Sequence, residues 1–342
     1  MNPPVLPHPA GRRGLVAAAM FALVAATVVG WLLWEGRGTG VADAATPQLK
    51  LDDIPFNGQR AYDSLKQLCA IGPRPSGSAG MGLQQKLLIE YFQNLGGQVE
   101  QQRFRVKHPH EDVNVPMLNI LVHWHPEKAK RILLCAHYDT LPYPMRDPEN
   151  PRGRFVGAND NASGVAVLME MAHDMPTLEC KYGVDFLLLD GEEFVFDDRK
   201  DPFFLGSRYF AEEYAKKLPT FRYHWGVLLD MVGDSDLQLY QERNSLQWRD
   251  TQPLVADIWA TAARLGVRDF IAKPKHEIQD DHLMLHNIAH IPCIDIIDFD
   301  YPDSAKEWSS LWHTQGDVPE QCSPLSLAKV GWVIEEWLKR VK

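Results

Sequence analysis

Three continuously apolar runs constrain the fold of this chain more than any other feature. They are RILLCAH at 131–137, VDFLLLD at 184–190 and IPCIDII at 291–297. A strand with one face in water alternates apolar and polar residues, whereas a strand covered on both faces is apolar throughout. Helical patterns separate the runs along the chain, which is typical of parallel strands. The sequence therefore predicts an α/β domain, a three-layer αβα sandwich around a mixed, mostly parallel sheet.

Further elements complete this prediction. Additional strand candidates cover 98–107, 117–124 and 225–231, and helix candidates cover 58–70, 79–95, 161–175, 205–217, 250–265, 280–288 and 324–340. The alternation QRFRV near 102–106 indicates an edge or solvent-facing strand. The pattern continues to the end of the chain without an internal repeat, so we expect one domain over 57–342.

The amino-terminal segment differs in composition from this domain. Residues 15–34 carry no charge and follow Arg12 and Arg13. Twenty helical residues span about 30 Å, the hydrocarbon thickness of a bilayer. Because flanking arginines stay on the cytoplasmic side, we predict a cytoplasmic tail over 1–14, a transmembrane signal anchor over 15–34 and a linker over 35–56. The domain after the linker would then lie outside the cytoplasm, in the periplasm or the extracellular space.

The sequence Ala42-Asp43-Ala44 supports an alternative, because it resembles a signal-peptide cleavage site. Cleavage after Ala44 would free the domain from the membrane. The apolar run is longer than the usual signal-peptide core of about 7–15 residues, which favours a retained anchor. The domain is exported in both alternatives.

The charge of the chain excludes one class of partner. It has 45 acidic and 35 basic residues and a formal net charge of −10. Binding to nucleic acid depends on basic patches that neutralise phosphates. Nucleic acid is therefore not an expected partner.

Histidine and carboxylate side chains lie at or near the ends of the apolar runs. The residues are His137, Asp139, Asp160, Glu192, Glu193, Asp230 and His313. Taken singly, each has an ordinary structural explanation, such as a hydrogen-bonded histidine or a helix cap. In an open α/β sheet, however, ligands bind beyond the carboxyl ends of the strands, where these side chains would meet. Imidazole and carboxylate groups are the ligands of catalytic zinc sites, so the pattern predicts a metal centre.

Two local spacings refine this prediction. Glu192 and Glu193 are adjacent, so their side chains diverge, and one can bind metal while the other remains free to move protons. Asp139 lies two residues after His137, which suits a carboxylate that orients a ligand imidazole.

Six motifs resemble the zinc aminopeptidases of the M28 type. They are AHYD at 136–139, GANDNASG at 157–164, DGEE at 190–193, GSRYF at 206–210, LLDMVG at 228–233 and WHT at 312–314. The resemblance covers about residues 57–340. The carboxyl-terminal third is more similar to the glutaminyl-peptide cyclotransferases (glutaminyl cyclases), particularly bacterial members related to the animal enzymes. The strings that carry this second resemblance are QDDH at 279–282, IPCIDII at 291–297 and the WHT triplet.

The resemblance implies a set of metal ligands. One zinc ion would be held by Asp160, Glu193 and His313. In the two-metal aminopeptidases, His137 and Asp230 would hold a second ion and Asp160 would bridge the two. The cyclases use one zinc ion with the same residue types, so the ligand set leaves the number of ions open.

The resemblance also implies two activities at peptide or protein N-termini. A cyclase would convert N-terminal glutamine to pyroglutamate and release ammonia, with Glu192 as general acid/base and Asp230 and Asp280 in a network of acids beside it. Asp280 would also hold the amine, and Trp312 would line the substrate pocket. An aminopeptidase would use Glu192 to deprotonate a water molecule. Trp312 before the ligand histidine favours the cyclase.

A third hypothesis is a non-catalytic, membrane-tethered binding domain, and the complete ligand set argues against it. Two positions depart from the animal cyclases. Those enzymes carry a pocket tryptophan near Asp198, within a loop at 194–204 that differs here, and a histidine where this chain has Asp295. Bacterial relatives share the string around Asp295, so that departure indicates a subfamily.

Overall fold

A computed structural model of the chain describes residues 49–217, 219–303 and 310–342. The predicted cytoplasmic tail, the predicted anchor and the linker as far as residue 48 lie outside the described residues. Across the described ranges, no helix has both the length and the apolar character needed to cross a membrane.

The strands and helices follow the sequence patterns closely. The strands are β1 (Gln98–Lys107), β2 (Asn114–Trp124), β3 (Lys130–His137), β4 (Gly183–Leu189), β5 (Arg222–Asp230), β6 (Leu239–Gln241), β7 (Phe270–Pro274) and β8 (Cys293–Ile297). The helices are α1 (Gly58–Ile71), α2 (Ala79–Asn94), α3 (Ser163–Met171), α4 (Leu205–Lys216), α5 (Arg243–Gln247), α6 (Gln252–Leu265), α7 (Asp281–Asn287) and α8 (Pro324–Leu338).

Six strands form the central sheet in the order β1-β2-β4-β3-β5-β8. Strands β4, β3, β5 and β8 are parallel to one another, β2 is antiparallel to β4, and β1 is antiparallel to β2. The prediction of a mixed, mostly parallel sheet is confirmed, and β1 lies at its edge. Strands β6 and β7 form a separate parallel pair, which the sequence did not predict.

The side chains of β3 alternate between two hydrophobic cores. Ile132 and Leu134 belong to the larger core, and Leu133 and Cys135 belong to the smaller one. Helices α1, α3 and α8 pack together on the larger side, and α4 and α7 pack together on the other. Both faces of β3 are therefore covered, which explains its continuously apolar sequence and confirms the three-layer sandwich.

The last residues of the predicted linker pack onto the domain. Ile54 and Phe56 are buried in the larger core. The ring of Phe56 lies against Gly331 of α8, where an added Cβ would be 2.2 Å from a ring carbon. These residues of the predicted linker therefore belong to the compact unit Leu49–Lys342.

A buried ion pair joins β3 to β4 at the amino end of β3. The side chains of Arg131 and Asp185 are 1% and 0% exposed, and Arg131 Nε donates to Asp185 Oδ2 at 2.8 Å. The hydroxyl of Tyr223 donates to the same carboxylate at 2.7 Å, and His123 Nδ1 lies 2.8 Å from Oδ1. Arg131 Nη2 also donates to Asp185 Oδ1, and the two terminal nitrogens donate to the backbone carbonyls of Trp124, His125, Lys128 and Val184.

Candidate metal centre

The carboxyl ends of three neighbouring parallel strands bring the predicted site residues together. His137 ends β3, Asp230 ends β5, and Glu192 and Glu193 follow β4. Parallel strands end at the same edge of a sheet, so these four side chains meet although they are far apart in the sequence. Asp160 and the late His313 reach the same edge from loops, as their distances to these residues show.

One group of ligands consists of Asp160, Glu193 and His313. His313 Nε2 lies 2.9 Å from Glu193 Oε1 and 3.4 Å from Asp160 Oδ2. All three residues are buried, and one donor atom from each lies within 4.8 Å of the others. These are the three residues that the resemblance implies as ligands of the first ion.

A second group shares Asp160 with the first. His137 Nε2 lies 3.1 Å from Asp160 Oδ1 and 3.5 Å from Asp230 Oδ1, and the three residues meet the same 4.8 Å limit. Asp160 therefore faces one imidazole with each of its two oxygens. This arrangement can accept either one cation or a bridged pair.

The charges of the site fit a divalent cation. Asp160, Glu193 and Asp230 are buried carboxylates that lie beside His137 and His313, and Glu193 Oε2 also accepts from the Leu141 N–H at 3.0 Å. Burial and the nearby Asp160 raise the pKa of Glu193 to about 8. Burial alone would also raise the pKa of Asp160, but hydrogen bonds from the two histidines lower it. Carboxylates crowded together away from water are expected where a bound cation supplies the compensating charge.

Asp139 positions the two glutamates through their backbone. Its oxygens accept from the N–H groups of Glu192 at 3.1 Å and Glu193 at 3.0 Å. The nearest approach of Asp139 to His137 Nδ1 is 3.6 Å, which is longer than a hydrogen bond. The sequence predicts a role in orienting His137, whereas the hydrogen bonds in the structure hold the turn that carries both glutamates.

The loop that carries Asp160 is held by a residue that sequence reasoning missed. Asp317 accepts from the backbone N–H groups of Asn159 at 2.7 Å and Asp160 at 3.1 Å. The Tyr301 hydroxyl donates to the same carboxylate at 2.9 Å. Burial and the nearby Asp160 raise the pKa of Asp317 to about 7. Asp317 is buried and follows His313 by four residues, so one short segment provides both a ligand and the support for another ligand.

A cavity of about 230 Å³ lies over the candidate ligands. Its polar side includes Glu192, Asp230 and Asp280, and its apolar wall consists of Met145, Phe203, Phe204, Met231, Ile278, Ile297, Phe299 and Trp312. The ring of Trp312 packs edge-on against Phe299 with the centroids 5.0 Å apart. Trp312 thus lines this cavity. The loop that departs from the animal cyclases contributes Phe203 and Phe204 to this wall.

Backbone strain is concentrated around this cavity. Phe204, Met231 and His313 have φ values of 62°, 49° and 60°. Residues other than glycine rarely adopt this conformation, which costs of order 1–3 kcal/mol each and clusters at functional sites. The Phe204 N–H donates to the Glu192 carbonyl at 3.1 Å, so one of the strained residues is tied directly to the predicted acid/base.

The acids of the cavity have perturbed proton affinities. Burial, with Glu193 and Asp280 nearby, raises the pKa of Glu192 well above its usual value. Burial and the carboxylates of Asp230 and Asp281 raise the pKa of Asp280 in the same way. Like charges in a buried site favour the protonated form of some members. Glu192, Asp230 and Asp280 therefore form a group that can hold and release protons.

A second buried cluster lies behind Asp280. His282 and Asp295 join Asp280 with one donor atom from each within 4.8 Å. Among the described residues, neither ring nitrogen of His282 and neither carboxylate oxygen of Asp295 has a hydrogen-bond partner. The polar groups of the cavity thus continue into the interior of the domain. Sequence reasoning quoted His282 only as the last residue of the string QDDH and gave it no role, although its position two residues after Asp280 is the signal that could have identified it.

The chain is similar to known proteins in both sequence and structure. Residues 119–338 match the model of peptidase family M28. A glutaminyl cyclase from Fimbriiglobus ruber is 35% identical with a TM-score of 0.78, and the match covers 86% of this chain and 98% of that one. A glutaminyl cyclase from Porphyromonas gingivalis is 31% identical (TM-score 0.75, 83% and 98% covered). A Zn-dependent exopeptidase from Parabacteroides distasonis is 32% identical (TM-score 0.75, 83% and 99% covered). No curated protein matches the sequence.

Proposed function

This chain belongs to peptidase family M28, and from that premise we propose that it is a zinc-dependent glutaminyl-peptide cyclotransferase. It converts the N-terminal glutamine of peptides or proteins to pyroglutamate and releases ammonia. The observation that carries the proposal is the small, aromatic-walled cavity whose polar side holds Glu192, Asp230 and Asp280. A cavity below the usual 300–1,000 Å³ of ligand pockets suits a single side chain that folds back on its own amine.

Asp160, Glu193 and His313 hold one zinc ion in this proposal. When bound, the ion supplies Lewis-acid polarisation of the substrate's γ-carboxamide carbonyl. Carboxylate oxygens and imidazole nitrogens are both ligand types of zinc, and a catalytic site uses three protein ligands. Among the described residues, these three satisfy the distance limit as a group and are all buried.

Glu192 moves the proton. The α-amine attacks the γ-carboxamide carbon, a C–N bond forms in the five-membered ring, and the bond to the side-chain nitrogen breaks. Glu192 accepts a proton from the attacking amine and donates one to the departing ammonia. The raised pKa of Glu192 suits a group that must carry a proton between two nitrogens. The reaction is intramolecular, so holding the glutamine in its folded-back form supplies much of the rate enhancement.

Asp230 and Asp280 assist Glu192 in this proposal. Both are buried and border the same cavity. Asp280 caps the first turn of α7, which fixes its position, while its Oδ2 has no hydrogen-bond partner among the described residues. In the proposal, the carboxylate of Asp280 holds the substrate amine. Trp312 forms the opposite wall and excludes water from the folded-back side chain.

A zinc-dependent aminopeptidase is the second candidate, and one observation favours it. His137, Asp160 and Asp230 form an intact second ligand group, which a two-ion hydrolase requires. In that reaction Glu192 takes a proton from the attacking water, and the first peptide bond breaks. The exopeptidase similar to this chain shows that the same fold accommodates hydrolysis.

The two candidates are separated by products and metal content. We expect the purified full-length protein to release ammonia from a Gln-Ala-Ala-amide peptide, to leave Leu-Ala-Ala-amide intact, and to contain about one zinc ion per chain. Mass spectrometry of the products and elemental analysis provide the measurements. Release of free leucine from the second peptide, together with two zinc ions per chain, would contradict the cyclase and support the aminopeptidase.

The support that Asp139 gives to both glutamates leads to a graded prediction. Asp139→Ala removes the acceptors of the Glu192 and Glu193 N–H groups, and we expect zinc affinity to fall by about 10–100-fold. Asp139→Asn keeps one acceptor oxygen and should therefore lose less zinc affinity than Asp139→Ala. Competition with a chelator measures the affinity. Equal affinities in the alanine variant and the wild type would contradict the role of Asp139.

The proposal also includes export. The length of the uncharged segment 15–34 and the arginines before it support a single-pass anchor with the active site outside the cytoplasm. Peptide N-termini in the periplasm or the extracellular space are then the substrates.

A further inference from the structure

A second cavity continues the first one. It has a volume of about 530 Å³ and shares Met145 and Asp198 with the substrate cavity. The shared residues show that the two cavities adjoin each other. Either proposed reaction takes place on the first residue of a peptide, so the following residues have to leave through an open side. We call this second cavity the exit groove. Besides the two shared residues, it is lined by Tyr143, Pro151, Arg152, Phe196, Asp197, Arg199 and Lys200.

Three arginines border this path. Arg146 lines the substrate cavity, and Arg152 and Arg199 line the exit groove. All three are exposed. Within the described part of the chain, no carboxylate oxygen lies within ion-pair distance of their guanidinium groups. The three positive charges are therefore available to a ligand.

Aromatic rings hold two of these arginines in place. The guanidinium carbon of Arg146 lies 4.2 Å from the ring centroid of Trp312, and that of Arg152 lies 4.8 Å from the ring of Tyr143. The Arg146 backbone N–H also donates to the His313 carbonyl at 3.1 Å. Stacking on an aromatic face leaves the N–H edge of a guanidinium free to bind a carboxylate.

The local charge is opposite to that of the whole chain. The protein carries a net charge of −10, yet around the groove Asp197 is paired with Lys200 at 2.8 Å. Among the groove residues this leaves Asp198 as the unpaired acid against Arg152 and Arg199, and Arg146 lies next to them in the lining of the substrate cavity. A positive strip beside an active site on an otherwise acidic surface attracts acidic ligands in particular.

We propose that the exit groove binds the residues that follow the N-terminal residue of the substrate, and that it selects peptides with Asp or Glu in the next few positions. The substrate carboxylates pair with Arg146, Arg152 and Arg199, while the first residue enters the cavity beside Trp312. This inference rests on the proposed function only in that a peptide N-terminus occupies the cavity, which both the cyclase and the aminopeptidase require.

The test uses three peptides as substrates of the zinc-loaded full-length protein and compares their kinetic constants. The peptides are Gln-Glu-Glu-Ala-amide, Gln-Ala-Ala-Ala-amide and Gln-Lys-Lys-Ala-amide. We expect kcat/KM to be about tenfold higher for the acidic peptide than for the neutral one and lowest for the basic peptide. The difference should appear in KM, because the groove binds ground state and transition state alike. It should shrink in 0.5 M salt, because exposed charges are screened.

Variants test whether the three arginines cause the preference for the acidic peptide. The triple variant Arg146→Met, Arg152→Met and Arg199→Met should remove the preference for the acidic peptide. Arg268→Met removes an exposed arginine that lines neither cavity and should retain the preference. Equal KM values for the three peptides in the wild type, or an unchanged preference in the triple variant, would overturn the proposal.

A binding measurement separates this inference from the proposed reaction. Fluorescence anisotropy with C-terminally labelled forms of the three peptides reports affinity in the Glu192→Gln variant, which is not expected to turn them over. If the acidic peptide binds most tightly but the wild type releases no ammonia, the groove is supported and the cyclase is not. If ammonia is released without any ranking of affinity, the cyclase is supported and the groove is not.

Discussion

Replacing Glu192 with glutamine is expected to lower kcat for an N-terminal glutamine peptide by about 10²–10⁴-fold, the range typical of a lost general acid/base. Glutamine has nearly the same shape but neither accepts nor releases the proton that must pass from the amine to ammonia. The fold should be unchanged, because the Asp139 oxygen that fixes this position binds the backbone N–H and not the side chain. Zinc content should also be retained, since Asp160, Glu193 and His313 remain. The measurements are ammonia release, elemental analysis and thermal unfolding.

The neighbouring residue provides a matched control. Glu193→Gln changes the same chemical group one position along the chain, but Glu193 Oε1 lies 2.9 Å from His313 Nε2 in the ligand group. We expect this variant to lose zinc affinity, and activity with it. If Glu192→Gln lost zinc and Glu193→Gln did not, the two roles would have to be exchanged. Activity of Glu192→Gln within tenfold of the wild type would remove the residue from the mechanism.

Arg131→Met should reduce the free energy of unfolding by about 3–5 kcal/mol, the usual cost of breaking a buried ion pair by removing one partner. Asp185 is fully buried, and within the described ranges its carboxylate would keep only His123 and Tyr223 as partners. The backbone carbonyls that Arg131 serves would lose their donor as well. Urea unfolding, with the midpoint and its slope determined separately, measures the loss.

The control for this prediction is an exposed ion pair. Lys107 and Asp112 lie 3.0 Å apart with side chains 72% and 97% exposed, and Lys107→Met should cost at most about 1 kcal/mol of unfolding free energy.

The pH dependence of the unfolding free energy gives a further check on the Arg131–Asp185 pair. Burial alone would raise the pKa of Asp185, but its bond to Arg131 lowers it. The contribution of the pair is therefore complete above the usual aspartate pKa of about 3.9 and is lost as the pH falls through the lower folded-state value. The difference in unfolding free energy between Arg131→Met and the wild type should become smaller in acid. A larger difference in acid would contradict a stabilising role of the Arg131–Asp185 pair.

The elements that the sequence predicts well are those whose burial pattern is simple. The run at 131–137 is buried on both faces, so its hydrophobicity alone indicates a central strand. Strand β6 has only three residues and β7 is mostly exposed beyond Phe270. Neither has a periodicity that a sequence can reveal, because their pairing depends on a contact between segments about thirty residues apart.

The residues of the candidate site also divide into those that the sequence predicts and those that it does not. His137 and Asp230 end apolar strands, so the geometry of a parallel sheet alone predicts that they meet. Asp317 holds the backbone of Asp160 from 157 residues away, and nothing in its surroundings in the sequence indicates this. Phe203 and Phe204 line the cavity because a loop turns back at a strained residue, and loop paths of this kind depend on tertiary contacts.

Strand β3 carries Arg131 near one end and His137 at the other. Six residue steps along a strand correspond to about 20 Å, well beyond the 7–10 Å within which substitutions usually influence one another. Changes made for stability at the first end and changes made for catalysis at the second should thus combine additively. The domain can be engineered as a scaffold whose robustness and chemistry are adjusted independently along a single strand.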